Sequence, residues 1–199
     1  EPDLDELKGN KGIGVISDTE SQPIIVSSHL GTFGIVTVSK INNIDNLANI
    51  AFDKKKHFSE TGSGGINPTE LVAMLISEKG SFEEGITYAQ ECIKGSCSML
   101  LLTNKGIIAA RDKLGRTPVI IGKKDGSLAA SSETCAFPNL GFEIEKYLGP
   151  GEVVLLTAEG YEQLKGPGDK MQVCSFLWVY YGYPASSYEH INVETVRYR

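Results

Sequence analysis

Apolar residues recur along this chain in short runs of strand length, interrupted by three stretches that carry the period of a helix. Residues 12–17, 23–28 and 33–39 read as strands, with Gly31 and Thr32 marking a turn between the second and third. A helix is expected over 43–52, where Leu47, Ile50 and Ala51 share a face. A second begins at Pro68, a residue tolerated in a first turn, and carries Leu71, Val72, Leu75 and Ile76 at helical spacing. Ser81 and Glu84 form a capping-box pattern before a third, whose stripe is Phe82, Ile86, Ala89 and Ile93. Further strands are expected at 96–103, 106–111, 119–121, 128–131, 142–148, 152–156 and 173–181. Runs of strands with a helix pair inserted predict an α+β fold of antiparallel sheets flanked by helices. The polar, glycine-rich connection 59–65 has no apolar period and is expected to be mobile. Pro167, Gly168 and Asp169 make 166–170 the best boundary, and the segment from Cys174 to Arg199 has too few apolar residues to fold alone.

Composition narrows the function classes. The 199 residues suit one domain, and 41% hydrophobic with 22% charged is ordinary for a globular protein. A net charge of -6 supplies no field for a phosphate backbone, and Lys54 to Lys56 is too short a basic run to reverse that, so nucleic acid is not an expected partner. No apolar run is long enough to cross a bilayer, and the acidic start from Glu1 to Glu6 is unlike a targeting peptide. No membrane partner and a cytoplasmic location are therefore expected. The four cysteines, Cys92, Cys97, Cys135 and Cys174, lack paired C-x-x-C spacing and read as reduced thiols; a Cys92–Cys97 bridge stays open on spacing alone. His29, His57 and His190 have no ligand-like spacing, and Ser63-Gly64-Gly65 reads as a flexible loop more readily than as an anion site.

The most informative stretch runs from Lys94 to Phe137. Its loop Arg111-Asp112-Lys113-Leu114-Gly115-Arg116-Thr117-Pro118 makes local sense as a rigid connection: Asp112 accepts backbone N–H bonds, Gly115 takes positive φ, and Pro118 fixes the re-entry into a strand. Two arginines beside one aspartate are expected to brace it by ion pairing. Ser131-Ser132-Glu133-Thr134 reads as a strand end passing into a helical turn, with Ser132 as its cap.

The order of strand, R-D-x-x-G-x-x-P loop, strand and S-S-E-T-C-A resembles the class II glutamine amidotransferases, most closely the glutaminase domain of the amidophosphoribosyltransferases. Lys8 to Val15, Gln22-Pro23, the turn Leu148-Gly149-Pro150-Gly151-Glu152-Val153 and the aromatic segment from Cys174 to Val193 extend the resemblance over nearly the whole chain. It implies a layered αββα N-terminal nucleophile hydrolase-like fold, a partial amidotransferase-like domain over 1–170, and an exit segment over 171–199. That segment would lead toward a missing phosphoribosyltransferase-like domain, the partner implied together with a missing N-terminal segment; a homo-oligomer is also admitted. Arg111, Asp112, Gly115, Pro118, Ser132 and Glu133 are the family's scaffold motif.

The family's chemistry is glutamine hydrolysis by an N-terminal cysteine whose own α-amino group is the base, with ammonia passed to phosphoribosyl pyrophosphate in purine biosynthesis. This chain begins with Glu1. Ile16 stands where the family holds the substrate carboxylate with arginine, Val38 falls where its Asn-Gly pair builds an oxyanion hole, and Pro68 replaces the aspartate that receives the substrate amine. No catalytic or substrate-binding residue is therefore assigned, and a pseudoenzyme is expected from this chain alone. The alternative is a noncatalytic scaffold or regulatory domain. The complete enzymes of the family imply Mg and, in some members, an iron–sulfur cluster; none is expected here, since Cys174 is a metal ligand only together with cysteines of the missing domain.

Overall fold

The structure, a computed structural model, describes residues 8–17, 20–59 and 65–199. Glu1 and the acidic start, Asp18 and Thr19, and most of the glycine-rich connection, Ser63 and Gly64 included, lie outside the described residues.

Strands β1 (Ile24–Ser28), β2 (Gly31–Ile41), β3 (Gly95–Leu102), β4 (Ile107–Ala110), β8 (Val153–Thr157) and β9 (Gly160–Lys165) form one antiparallel sheet in the order β1-β2-β3-β4-β8-β9. A second, of β5 (Ile120–Lys124), β6 (Ser127–Ser131) and β7 (Glu143–Tyr147), runs β6-β5-β7. Alternation along the strands decides what each face meets. Phe33 and Ile35 of β2, Cys97, Met99 and Leu101 of β3, and Ile108 and Ala110 of β4 turn toward α2 (Pro68–Ile76) and α3 (Phe82–Cys92), meeting Leu71, Val72, Ile76, Ile86 and Ala89 in the larger core. The intervening residues Ala109, Val154 and Leu156 turn the other way and meet Val119, Ile121 and Leu148 in a smaller core between the sheets. On the far face of β5, Gly122 leaves room for Phe137 of α4 (Ala136–Leu140): a Cβ there would stand 2.3 Å from the ring. Helices, sheet, sheet and helix are thus stacked as the resemblance implied, with α1 (Ile44–Asp53) beside α2.

The helix starts are set by their side chains. Asn67 accepts from Thr69 N at 2.9 Å and Glu70 N at 3.3 Å, with Pro68 at the first helical position. Ser81 accepts from Glu84 N at 3.2 Å.

Several expectations need correction. Residues 12–17 form no strand and run as coil along β2, where Ile13 lies against Gly34. The first hairpin turns at His29 and Leu30, and Gly31 already opens β2. The strand expected over 173–181 is absent: Leu177–Tyr181 is a π-helical turn. That unbroken apolar run has no period of two to distinguish strand from helix. β9 carries no strand pattern in the sequence because only its ends are partly covered and its middle is polar. The short elements β10 (Ser187–Tyr188), β11 (Ile191–Asn192) and α5 (Val193–Arg197) are also additions, whereas α4 lies where the strand end at 131–134 is expected to pass into a helical turn.

Candidate functional site: a cleft between the two sheets

The second sheet covers only part of the first. Beside its free edge strand β6 a cleft of about 480 Å³ lies between the sheets, and the inner face of β2 and β1 is open at Val38 and Ile25. Val36, Val38, Ser98 and Leu100 line it from the large sheet, Thr117, Pro118 and Val119 from the loop entering β5, and Ala130 to Glu133 from the end of β6. Gly14, Val15 and Ile16 form its mouth. Ile16 is 98% exposed and Val38 49%, and Ile25, on the same uncovered side of β1, is 78% exposed. Three apolar side chains therefore stand open on one face of the large sheet.

Sequence positions expected to matter part company here. Ile16 and Val38 share the cleft, whereas Pro68 stands outside it, half-buried at the start of α2. Its neighbour Thr69 joins a closed polar cluster: Thr69 Oγ1 and Thr37 Oγ1 lie 2.7 Å apart, and Thr69 Oγ1 donates to Glu20 Oε2 and to Gln22 Oε1, each at 3.3 Å. Gln22 Oε1 accepts from Thr37 N at 2.8 Å and Gln22 Nε2 donates to Thr37 O, so the side-chain amide extends the ladder of β2 past the end of β1. Burial pushes the Glu20 carboxyl upward and the Thr69 hydrogen bond opposes it. These polar groups satisfy each other, leaving little to turn toward a ligand.

Arg111, Asp112, Gly115 and Pro118 form one stitched loop. Asp112 accepts from Thr117 N at 2.8 Å and Leu114 N at 3.1 Å, and Gly115 takes φ 69°. Burial raises the Asp112 carboxyl, against those backbone bonds and the nearby Arg111 charge. The expected ion-pair brace is not made. Arg111, 1% exposed, donates instead to Leu148 O, Gly115 O and Glu189 Oε1 (2.6 Å), and Arg116 donates to Gly95 O and Gln172 Oε1. Carbonyls and a distant glutamate win because the guanidinium fork points away from Asp112, whose oxygens the loop's own N–H groups occupy. The Gly149 to Val153 turn closes the loop from below, with Gly151 N donating to Asp112 O at 2.8 Å and Arg111 N to Glu152 O at 3.0 Å.

At the far rim the S-S-E-T segment also differs in detail. Ser131, not Ser132, makes the turn, accepting from Glu133 N at 3.1 Å; Ser132 is exposed and α4 has no side-chain cap. A hydroxyl two residues before the N–H closes a short turn that Ser132 cannot reach. Among the described residues lining the cleft, Glu133 is the one charged side chain, and its carboxylate accepts from Ser186 Oγ and, at 2.7 Å, from Tyr188 OH.

Cys174 stands apart from this site, half-buried before the π-helical turn, and all four cysteines are free thiols. Among the described residues no three His, Cys, Asp or Glu side chains cluster to hold a metal, so the residues present do not fit an iron–sulfur cluster. Among them, too, no helix is long and apolar enough to cross a membrane.

Residues 11–139 match the family model described as a glutamine amidotransferase domain. The amidophosphoribosyltransferase of Methanothermobacter thermautotrophicus is 29% identical over 209 residues, covering 98% of this chain and 43% of that protein. That of Archaeoglobus fulgidus is 26% identical over 182 residues, covering 89% and 39%. The solved glutamine phosphoribosylpyrophosphate amidotransferase of B. subtilis, complexed with ADP and GMP, superposes with a TM-score of 0.79 at 25% identity, over 89% of this chain and 39% of that one. The chain thus spans about 40% of the length of these relatives. Matched in its loops, its layers and its order of elements, it belongs to the class II glutamine amidotransferase domain family.

Proposed function

We propose that this chain is the amidotransferase-like domain of an amidophosphoribosyltransferase-like protein of purine biosynthesis, and that it has lost glutamine chemistry. The relatives' names support the first half. The observation that carries the second is the lining of the cleft: Ile16 and Val38 are apolar, and Glu133, the one charged side chain among the described lining residues, is already engaged by Ser186 and Tyr188. Glutamine is a zwitterion with a polar amide, and binding it among the described lining residues would leave its carboxylate without a cation. The parent reaction, transfer of an amino group to phosphoribosyl pyrophosphate, would then belong to a phosphoribosyltransferase-like domain and draw on ammonia. A cytoplasmic setting agrees with the free thiols.

The second reading, a scaffold or regulatory domain without any reaction of its own, is favoured by the closed Thr37, Thr69, Gln22 and Glu20 cluster, which spends polar groups on structure. Ammonia release from glutamine by the purified chain is expected to stay at the level of a no-protein control. Release above it overturns the loss of glutaminase chemistry. Phosphoribosylamine formation by the complete polypeptide from ammonia supports the enzymatic reading, and failure to form it selects the scaffold.

A further inference from the structure

Residues 174–199 are not a loose tail. Trp178 Nε1 donates to Ile191 O at 2.9 Å, and Arg197 of α5 donates to the carbonyls of Trp178, Tyr180 and Gly182, tying the π-helical turn, the β10–β11 hairpin and α5 into one small unit. The ring of Trp178 stands edge-on to Tyr188 at 5.8 Å. Tyr188 and Val193 are buried, at 1% and 0% exposure, under a surface that is otherwise aromatic and open.

His190 lies against the ring of Tyr147 of β7 at 4.4 Å, but most of the hydrogen bonds that attach this unit converge on the rim of the cleft. Tyr188 OH and Ser186 Oγ both donate to Glu133, Ser187 N donates to Thr134 Oγ1 at 2.7 Å, and Arg111 holds Glu189 at 2.6 Å. These are pairings between residues 53 to 78 positions apart. Hydrogen bonds to a carboxylate are the stronger kind, and a half-covered site strengthens them further. Glu133 is also the charged member of the cleft wall.

We propose that Glu133 is a latch between the cleft and the 174–199 unit: the carboxylate that forms part of the cleft wall is the acceptor that seats the unit, with Arg111 and Glu189 as the second hold. The cleft wall and the unit then move together, and whatever recruits the Glu133 carboxylate from the cleft side loosens the unit. Glu133 of the S-S-E-T segment gains a task in this way, and Arg111 gains a second one beside its bonds to Leu148 O and Gly115 O. Glu133 acts here as a positioning residue and not as a catalytic one.

Hydrogen exchange of the whole chain, read peptide by peptide, tests the latch with two variants. Glu133→Ala removes the acceptor; Tyr188→Phe keeps the ring against Trp178 and removes one donor. Both are expected to raise exchange over 187–193 by roughly tenfold or more while β3 and β4 keep their protection. Tyr188→Phe, although Tyr188 does not line the cleft, is also expected to raise exchange at Glu133 N, and the double variant should exceed Glu133→Ala only slightly. Unchanged exchange over 187–193 in Glu133→Ala overturns the proposal. So does a uniform rise that includes β3 and β4, which would make Glu133 a general fold residue, or independent additive effects of the two substitutions.

Discussion

Arg111→Met is expected to cost the domain about 3–5 kcal/mol of unfolding free energy, because it leaves two buried carbonyls without a donor and the half-buried Glu189 without its cation. Methionine roughly keeps the volume, so the loss reads the polar contacts and not a cavity. Leu148 O and Gly115 O would lose their donor, and Glu189 its cation. One term runs the other way: Arg111 Nε is buried with no acceptor, and deleting it relieves a penalty of about 1–3 kcal/mol. Three lost contacts on a group 1% exposed outweigh that relief. Urea unfolding followed by circular dichroism measures the difference. A loss below about 1 kcal/mol would mean that the arginine is replaceable packing, in line with buried ion pairs elsewhere that hydrophobic groups replace without cost.

Phe137→Ala is expected to be comparably severe, about 3–5 kcal/mol, since a buried ring leaves both transfer free energy and a cavity behind. The ring lies against the backbone of β5 at Gly122, where no larger residue would admit it. It also anchors the turn that carries Glu133: Phe137 N donates to Thr134 O at 3.2 Å and Ala136 N to Glu133 O at 3.4 Å. Loss of the ring should therefore loosen the rim before the sheets. Trp178, the single tryptophan, reports on the 174–199 unit, so its fluorescence transition in urea is expected to precede the far-ultraviolet transition in this variant and to coincide with it in the unmodified chain. Coincident transitions in Phe137→Ala, or a loss of less than about 1 kcal/mol, would detach Phe137 from the support of the rim.

Much of the architecture is legible because it is written in periods. Leu71, Val72, Leu75 and Ile76 at helical spacing form the buried face of α2, and Ser81 caps α3. The alternation in β3 places Met99 and Leu101 on one face, as the structure has them. The failures fall where period carries no information. The run from Phe176 to Tyr181 is apolar throughout, and β9 is polar through its middle because it lies at the sheet edge. The family resemblance supplies the αββα layering, which local patterns alone do not determine, since they say which residues are buried but not what covers them.

The site is less legible. Ile16 and Val38 stand out in the sequence, yet their meeting across one cleft depends on a coil packed along β2, for which spacing offers no signature. Adjacency makes Arg111 and Asp112 look like partners, but adjacent side chains compete with every acceptor in reach, and the fold brings three better ones to Arg111. Ser186, Tyr188 and Glu189 give no warning at all. Their partners lie more than fifty residues earlier, and only the closed fold brings them together.

The most direct measurement is a calorimetric titration of the purified chain with glutamine and with a nonhydrolysable glutamine analogue. Heats of dilution alone are expected for both, as the described lining of the cleft offers the ligand's carboxylate no cation and its one carboxylate is already held. Saturable heat with either ligand would contradict the account, because it would mean that the glutamine contacts lie elsewhere in the fold and remain intact.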